Sequence, residues 1–559
     1  MKHGNEVSCK DVGDADLERL PLVPKKLQAY AALGPLHSVA AALGIDEISE
    51  QFGYKLLVML FASQHLLKGF AGALIGPCAP FLYKAYGVAG PQMQIFGGVT
   101  QLPWAMKPVI GLMSDALPLG GLHKAPYILG SSMLGALALA SIGAVPQSHL
   151  GVEWLVACLF LAQLQLSTCD LLTEAKYAEK MQSKPEFGPK LMTFVWFGLQ
   201  TGGLLATVMV GPMLNHFGPR IPHLVALVPA VFILLPLAGN YLEEVRKDPA
   251  ELAEARAHLM EQQEACGLCF LMFVGTMLLT CLGICYDSPL VNAVGSIMVA
   301  IVMLVAFSVV LKPIIAKVNA FFLIQTSVGL SISGASFYFF TDTPEQYPEG
   351  PHFSMEFFTS VLGTAGSLCS MLGIYSYQKC VSEWSYRKLL WMTNIFVALL
   401  SVSDLIIFTR FNVRLGVPDH AFVLGSSALG SIIGQWMWMP GIVILSQLCP
   451  KGMEATMYAL LAGCHNLGNT IASNCGALLL VHLGCEPSGA PQESGQFRFL
   501  WVGSALSTVL PLLSCALIPW LVPDARQTDK LLGDEDRDCT AGSAWRRWKA
   551  ARAQRGDPA

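Results

Sequence analysis

Residues 102–108 read Leu-Pro-Trp-Ala-Met-Lys-Pro, and Gly111 and the pair Ser114-Asp115 follow close behind. Lys107 and Asp115 flank the end of a hydrophobic stretch that is long enough to cross a membrane. Because a charged side chain is costly in hydrocarbon, each of them must face water or an ion partner. The stretch therefore predicts a membrane protein with a polar pathway through it, which is typical of a transporter.

The composition points the same way. The chain has 559 residues, of which 53% are hydrophobic and 13% are charged, whereas a soluble protein carries about twice that charged fraction. The apolar residues form runs of roughly 20 residues or more, the length that crosses about 30 Å of hydrocarbon. The 16 cysteines lack the spacing of a zinc site. The sequence shows neither a nucleotide-binding glycine loop nor a metal-ligand cluster, so we expect no enzyme, no cofactor, no metal site and no nucleic-acid partner.

About fourteen apolar runs divide the chain, separated into two sets by a polar, glutamate-rich stretch. We predict an all-α polytopic membrane protein in which an extra hairpin lies between two six-helix groups. The predicted regions are a cytoplasmic N-terminal region (1–52), a first six-helix bundle (53–241), a cytoplasmic linker (242–266), the inserted hairpin (267–311), a second six-helix bundle (312–522) and a cytoplasmic tail (523–559).

The charges of the loops predict the orientation of these helices. With the N-terminus inside, the inner loops hold most of the basic residues, among them Lys124, Arg387 and Lys451. This positive-inside bias places both termini in the cytoplasm. No organelle address is visible, so the plasma membrane is the expected location. The tail after Pro523 is polar and becomes basic from Trp545, which fits lipid-surface binding or disorder, and disorder is favoured.

The two six-helix groups resemble each other in sequence. One helix of the first group ends in Gly111 and Ser114, and the corresponding helix of the second group ends in Gly373 and Ser376. A basic residue follows the glycine at a similar distance in both groups. Parallel repeats of six helices are typical of the major facilitator architecture, which we predict here with two added helices. The role expected for the inserted hairpin is packing.

A loop motif suggests how two such halves are held in one state. Gly111 and Asp115, with Lys124 beyond them, resemble the loop between the second and third helices of major facilitator proteins. An acid at a helix end and bases on the facing loop can form a conformational latch between rocking halves. The alternative is a solvated loop with ordinary topological charges.

The fourth helix carries two acids. Asp170 and Glu174 are four residues apart, so their carboxylates lie on one face of the helix. An ionisable residue inside the membrane is by default functional, and repulsion between two carboxylates favours protonation of one of them. We predict that both bind substrate or protons. For Glu174 the alternative is a position at the inner interface, paired with Lys176 or Lys180.

A matching base precedes these acids in the chain. Lys107 lies between Trp104 and Pro108. Its ammonium group can pair with an acid or with cargo, or it can extend to the membrane interface. Because prolines restrict the backbone on both sides, we predict that Lys107 and Trp104 belong to the binding site.

Four further polar residues are candidates for the same site. In the first helix, Gln64 and Lys68 share a face at helical spacing, and His65 is adjacent. In the second bundle, Asn466 lies deep in a helix beside small residues. Amides and small residues at such positions bind cargo or allow close helix packing, and both interpretations stay open.

Three motifs together are similar to those of the folate–biopterin transporter family of the major facilitator superfamily. They are Pro103-Trp104-x-x-Lys107-Pro108-x-x-Gly111-x-x-Ser114-Asp115, then Asp170-x-x-x-Glu174-Ala175, and Pro450-x-Gly452-x-Glu454-Ala455-Thr456 followed by Asn466-x-Gly468. The polar N-terminal region and the helix number resemble the trypanosomatid branch. The resemblance implies a carrier in the lipid bilayer that takes up folate or biopterin together with protons. That branch also includes S-adenosylmethionine carriers, so the cargo stays open within the family.

A pterin suits the predicted acids. Its ring N–H and exocyclic amine form a two-donor edge that Asp170 can accept with both oxygens, while Lys107 or Lys68 meets the glutamate tail of folate. The same acid suits the cationic centre of S-adenosylmethionine and does not discriminate between these cargoes. A hypothesis from another class is a non-transporting receptor on the same scaffold. Apolar residues in place of the intramembrane charges would favour it, and the charges are present.

Overall fold

The computed structural model describes residues 44–246, 263–450, 454–533 and 538–554. Most of the predicted N-terminal region (1–52) and most of the predicted linker (242–266) therefore lie outside the described residues. The regular structure of the described residues is helical, apart from two isolated β-bridges, Leu119–Leu122 and Ser385–Arg526. The predicted all-α fold class is confirmed.

The first group of helices begins with a short helix that turns at Gly53, whose positive φ of 85° suits a glycine. A π-helical stretch lies inside the second helix, at Phe61–Ala71. The helices of this group are α1 (Ile45–Phe52), α2 (Tyr54–Ala85), α3 (Gly90–Ala105), α4 (Lys107–Ala116), α5 (Ala125–Ala144), α6 (Val152–Ser183), α7 (Gly188–Phe217) and α8 (Ile221–Ala238).

A hairpin of two helices and then the second group follow the linker. Short helical turns occur at Pro185–Phe187 and Phe411–Arg414. The helices after the linker are α9 (Gln263–Cys285), α10 (Pro289–Val310), α11 (Pro313–Val328), α12 (Ser333–Thr341), α13 (Phe357–Cys380), α14 (Tyr386–Phe408), α15 (Asp419–Gln447), α16 (Glu454–His482), α17 (Ser494–Leu521) and α18 (Ala544–Gln554).

Among the described residues, eleven helices are long and apolar enough to cross a membrane, or twelve if the bent pair α11 and α12 forms one span. The prediction of a polytopic membrane protein is confirmed, whereas the number fourteen is not. Two of the fourteen apolar runs in the sequence, at 92–113 and 454–482, have no counterpart among these spans. They coincide with α3–α4 and with α16. These segments are helical but do not belong to the counted spans.

Two of the helical segments are broken. Between α3 and α4 the break falls at Met106, just before Lys107-Pro108, where proline removes a backbone donor. Between α11 and α12, residues 329–332 are unwound and the two helices differ in direction by 40°. Breaks of this kind leave backbone carbonyls free to line a cavity.

The two groups pack against each other along α3 and α16. Gly98 lies against Thr470, whose hydroxyl donates to the Gly98 carbonyl at 3.1 Å. Further along, a Cβ at Gly463 would lie 3.2 Å from the Ala105 carbonyl oxygen. Small residues therefore allow these two backbones to approach closely.

The hairpin of α9 and α10 packs beside this junction, against α3, α4 and α16. Its buried contact with α16 is a hydrogen bond of 2.7 Å from the Asn474 amide to the Ser296 hydroxyl. On α9, Gly283 faces Val99 of α3. The hairpin thus contacts helices of both groups, in agreement with the packing role expected for it.

Polar contacts join the two groups at their predicted outer end. Lys84 at the end of α2 forms an ion pair of 2.7 Å with Asp342, which directly follows α12. The Tyr338 hydroxyl donates to the Val88 carbonyl at 2.5 Å. Gln94 donates to a carbonyl of the unwound turn before α12. Together these contacts close the predicted outer end on this side.

A second contact at the same end joins α7 to α13. The Ser360 hydroxyl donates to the Thr207 carbonyl at 2.6 Å and accepts from the Gly211 amide at 2.9 Å. A Cβ at Gly211 would lie 2.6 Å from the Ser360 oxygen, so only glycine allows this approach. The predicted outer end is therefore closed on both sides of the junction.

The tail folds onto the predicted inner end of the second group. The buried Gln527 accepts a hydrogen bond from the Tyr377 hydroxyl and donates to the Val381 carbonyl at 3.1 Å. Gln447 of α15 donates to the Gln527 carbonyl at 2.7 Å. The expectation of a disordered tail is wrong for residues 523–533 and 538–554. The buried amide of Gln527 anchors the tail. The sequence alone does not reveal this anchor, because the tail is polar overall.

Replacing Lys84 tests the closure of the predicted outer end. Burial raises the pKa of the Asp342 carboxyl above its ordinary value, although the Lys84 contact opposes this. In Lys84→Met, Asp342 loses its counter-charge, and we expect the closed contact to weaken by about 2 kcal/mol at neutral pH. Hydrogen–deuterium exchange of the amides in 342–353 measures this as faster exchange.

The pH dependence provides the control. A carboxyl whose pKa is higher in the closed contact than in water binds its proton more tightly there, so lowering the pH favours closure. The difference in exchange between Lys84→Met and wild type, each measured at the same pH, should therefore shrink at mildly acidic pH, and Lys84→Met with Asp342→Asn should resemble wild type. Equal exchange in wild type and Lys84→Met at neutral pH would contradict the role of this pair.

Candidate functional site

The site begins in the π-helical stretch of α2, Phe61–Ala71. Stretches of this kind are rare and occur frequently at functional sites. The Gln64 amide donates to the Thr173 hydroxyl at 2.9 Å, and Lys68 reaches Asp170 one turn away on the same helix, α6. The prediction that Gln64 and Lys68 share a face is confirmed, and that face contacts α6.

Asp170 lies at the centre of the site, with only 2% of its surface exposed. One carboxylate oxygen is 2.8 Å from Lys68 Nζ, and the other is 2.5 Å from Lys107 Nζ. Lys107 is the first residue of α4, so the break after α3 brings its ammonium group to α6. Each oxygen of the buried carboxylate thus has its own counter-charge, which burial of an acid requires.

Aromatic rings surround the two ammonium groups. Lys107 Nζ lies 4.7 Å from the centroid of the Trp104 ring, and Lys68 Nζ lies 5.9 Å from it. Lys68 Nζ is also 5.8 Å from the centroid of Trp196 on α7. These distances are in the range of cation–π attraction. Trp104 also offers a flat apolar face beside the charges, where a planar ring can stack.

A cavity of about 200 Å³ lies between the two groups, and its lining does not include Lys68, Trp104, Lys107 or Asp170. The Trp104 indole N–H donates to the Gln163 side chain at 3.0 Å, and Gln163 lines the cavity. Further polar groups of the lining come from α3, α12 and α16; they are Gln94, Thr100, Gln101, Ser333 and Ser473. The site is therefore an ion cluster joined through Trp104 to a cavity lined by amides and hydroxyls.

Sequence reasoning missed the amides of this cavity. Gln94, Gln101 and Gln163 lie in apolar segments, but a neutral amide is much less costly there than a charge. The available signal was the presence of five glutamines in these two apolar segments, Gln92, Gln94, Gln101, Gln163 and Gln165. Gln94 is engaged with the backbone of the predicted outer contact, whereas Gln101 is exposed and faces the cavity.

Glu174 lies one turn beyond Asp170 and is exposed. The alternative partners have other contacts: Lys176 lies 3.4 Å from Glu179, and Lys180 lies 3.0 Å from Glu243. Lys180 holds the pKa of the Glu243 carboxyl below its ordinary value. Within the described residues no lysine forms an ion pair with Glu174, so it is an accessible acid beside the cluster.

The remaining candidates are His65 and Asn466, and like the other predicted binding residues they do not line the cavity. His65 is buried, with its ring centroid 4.7 Å from that of Phe194 on α7, and Gly198 leaves space for the imidazole. Asn466 is half-buried on α16. For His65 these contacts favour helix packing. For Asn466, as for Gln64, a binding role stays a prediction.

The candidate latch residues lie at the predicted inner end of the first group. Gly111 packs toward Leu171 of α6, and Asp115 is exposed at the end of α4. Lys124 Nζ is 3.9 Å from Glu179, and its backbone N–H donates to Glu244 at 2.9 Å. These contacts of Lys124 stay within the first group and the start of the linker. A latch between the two halves therefore stays a prediction.

Comparison with known proteins adds three findings. The model of the BT1 family matches residues 68–541. A protein of Arabidopsis thaliana named "Probable folate-biopterin transporter 6" is 23% identical over 470 residues, which cover 83% of this chain and 82% of that protein. The "Folate-biopterin transporter" of Synechocystis sp. is 26% identical over 487 residues, covering 87% of this chain and 85% of that protein.

A solved structure is similar in fold. The crystal structure of the peptide transporter POT in complex with sulfate aligns with a TM-score of 0.59 at 14% identity. The alignment covers 84% of this chain and 95% of that chain. This likeness concerns the fold alone, and it confirms the predicted major facilitator fold.

Replacing Asp170 tests the ion cluster. In Asp170→Asn, Lys68 and Lys107 lose their shared counter-charge, and we expect the free energy of unfolding to fall by about 3 kcal/mol. Thermal unfolding of the purified protein in detergent measures the loss. The matched control is Asp287→Asn, in the exposed loop between α9 and α10. Equal unfolding temperatures for the two variants would show that the cluster does not stabilise the fold.

Proposed function

The chain belongs to the BT1 family, and we propose that it is a secondary active transporter that takes up folate or biopterin with protons by alternating access. The observation that carries this proposal is the Lys68–Asp170–Lys107 cluster beside Trp104, whose indole N–H donates to Gln163 in the lining of the cavity between the two groups. The relatives' names and the family provide the cargo class. The geometry offers the chemistry that this cargo requires.

The cluster can bind a pterin if the pterin replaces the lysines as hydrogen-bond partners of Asp170. A pterin edge offers two N–H donors, which match the two oxygens of Asp170. In the structure those oxygens already accept from Lys68 and Lys107. A bound pterin would replace one or both contacts, and a released lysine would then meet the carboxylates of a folate tail. Trp104 supplies a ring face for stacking.

We propose alternating access because the predicted outer end is closed by contacts between the two groups. We propose six-helix repeats at 53–241 and 312–522, with the hairpin 267–311 inserted between them. Lys84, Tyr338 and Ser360 hold the repeats together at the predicted outer end. Cargo from outside would enter when these contacts open, and the latch at Gly111, Asp115 and Lys124 would act at the opposite end.

Glu174 is the proposed proton acceptor beside the cargo. Both oxygens of Asp170 are occupied by ammonium groups, whereas Glu174 is exposed and has no lysine partner among the described residues. The proposed location is the plasma membrane, with both termini in the cytoplasm. S-adenosylmethionine is the second candidate cargo because its cationic centre also suits Asp170, and the accessible cavity favours a carrier over a receptor.

Uptake measurements test the cargo and the role of Asp170. Cells that lack their own carriers are supplied with radiolabelled folate, biopterin or S-adenosylmethionine at neutral and at mildly acidic pH. We expect acid-stimulated uptake of a pteridine by wild type, reduced about a hundredfold in Asp170→Asn because the acceptor for the pterin edge is lost. Asp287→Asn is the control.

Three outcomes would change the proposal. Selective uptake of S-adenosylmethionine would retain the site and change its cargo. Uptake that does not respond to pH would remove the proton coupling. No uptake of any of the three, with the protein confirmed at the cell surface, would favour the receptor hypothesis.

Replacing Lys68 tests which part of the cargo this lysine contacts. Folate has carboxylates in its glutamate tail and biopterin has none, so a lysine that meets this tail contributes to folate binding only. We expect Lys68→Gln to raise the KM for folate about tenfold, as loss of a charge-assisted hydrogen bond does, with a smaller change for biopterin. Lys190→Gln, at a surface ion pair with Glu47, is the control. Equal effects on both cargoes would contradict this assignment.

A further inference from the structure

A second cavity, of about 190 Å³, lies within the second group of helices. It is lined by the unwound turn between α11 and α12, by α14 and by α17. The lining contains one charged residue, Asp404, which lies on α14 one turn before its predicted outer end at Phe408. The lysines and acids of the central site come from α2, α4 and α6, so this cavity is separate from the ion cluster.

Asp404 has no partner for its charge. Among the described residues, no hydrogen bond or ion pair joins its side chain to another group, in contrast to Asp170 and Asp342. Asp404 is exposed in the structure; on a helix that crosses the membrane, a carboxylate without a counter-charge is nevertheless costly and marks a functional site by default. Two states remove that cost: a proton on the carboxyl group, or a cation bound beside it.

The rest of the lining offers oxygen atoms to a cation. Ser401 donates its hydroxyl proton to the Val397 carbonyl at 2.9 Å, and Thr508 donates to the Ser504 carbonyl at 3.1 Å. The Ser507 hydroxyl donates to the backbone carbonyl of Leu330 in the unwound turn. A hydroxyl that donates its proton to the backbone keeps its lone pairs. These oxygens can therefore face a cation in the cavity.

We propose that this cavity is a binding site for a small monovalent cation, a proton or Na⁺, with Asp404 as its anionic ligand. Oxygen ligands from a carboxylate, from hydroxyls and from the carbonyls of a broken helix are the set with which transporters hold such ions. The hydroxyls of Ser401, Ser507 and Thr508 complete the set. The site lies in the second helix group, whereas Asp170 lies in the first. The predicted binding residues of the second group include no acid.

The location connects this site to the predicted outer contact. Leu330 and Ile332 line the second cavity, whereas Ser333 and Gly334 line the central one, so the unwound turn separates the two. The turn continues into α12, which carries Tyr338 and leads to Asp342. A cation that binds at Asp404 acts on the turn at which α12 is attached. The occupied site therefore biases the opening of the outer end, which is the coupling an ion-driven transporter needs.

No other charge faces Asp404 from the packed elements. The helices that pack against residues 402–408 include α15, α17, the first part of α14 and the turn Phe411–Arg414. Arg410 is already engaged by Asp419 through two bonds of 2.7 and 2.8 Å. The charged residues and the one histidine of these elements lie at the element ends. They are Arg387, Lys388, Arg410, Arg414, Asp419, His420 and Arg498.

The first test measures coupling, and this part rests on the proposed function. The purified full chain in liposomes accumulates radiolabelled biopterin or folate under an inward proton gradient or an inward Na⁺ gradient. We expect Asp404→Asn to lose gradient-driven accumulation by about tenfold or more, the range of typical coupling between sites, with cargo exchange at zero gradient within about twofold of Asp287→Asn. The gradient that drives wild type but not Asp404→Asn identifies the cation. Equal accumulation by the two variants would overturn the proposal.

The second test does not depend on any cargo. Dicyclohexylcarbodiimide reacts with protonated carboxyl groups in apolar surroundings, and mass spectrometry of the full chain locates the product. Labelling of Asp404 that falls as the pH rises supports a proton site, and suppression by Na⁺ at constant pH supports a Na⁺ site. No labelling of Asp404 at any pH without Na⁺ would overturn the proposal. If wild type carries no pteridine, the proposed function fails while this measurement still decides the site.

Discussion

The ion cluster at Asp170 is the constraint on which the rest of the structure depends. A carboxylate that is 2% exposed is tolerated in α6 only because each of its oxygens faces an ammonium group. The two lysines come from α2 and α4, so the same contacts hold three helices in register. Apolar packing alone would allow these helices to slide, whereas a buried charge allows one arrangement. The fold of the first group and its proposed binding chemistry therefore rest on the same three side chains.

The broken helices have a similar double role. At Met106 the break places Lys107 at the start of α4, where it reaches Asp170, and places Trp104 between the cluster and the central cavity. The unwound turn between α11 and α12 lies between two cavities and supplies backbone carbonyls to Gln94 and Ser507. An intact helix would keep those carbonyls in its own hydrogen bonds. Both breaks thus convert apolar spans into polar sites.

The cost of charge in hydrocarbon explains how much of the site the sequence predicted. Lys68, Lys107 and Asp170 are conspicuous because so few charges lie in apolar helices, and the spacing of Gln64 and Lys68 indicates one shared face. The partners of these residues depend on which helices are neighbours, and hydropathy contains no such information. Gln101 and Gln163 were missed because neutral amides cost little. The packing of His65 depends on the absence of a side chain at Gly198, which is visible only once α2 and α7 lie together.

The charge of the cluster limits what the cavity can hold. Asp170 and its two lysines sum to one positive charge, and an ionised Glu174 one turn away reduces the sum to zero. A folate tail carries carboxylates into this balance, so its entry favours protonation of Glu174, whereas neutral biopterin leaves the balance unchanged. Proton uptake at Glu174 would then follow the charge of the cargo. Asp404 lies on the other helix group, beside the turn that carries α12, so a cation there would act on the outer contact and not on the charge of the cluster.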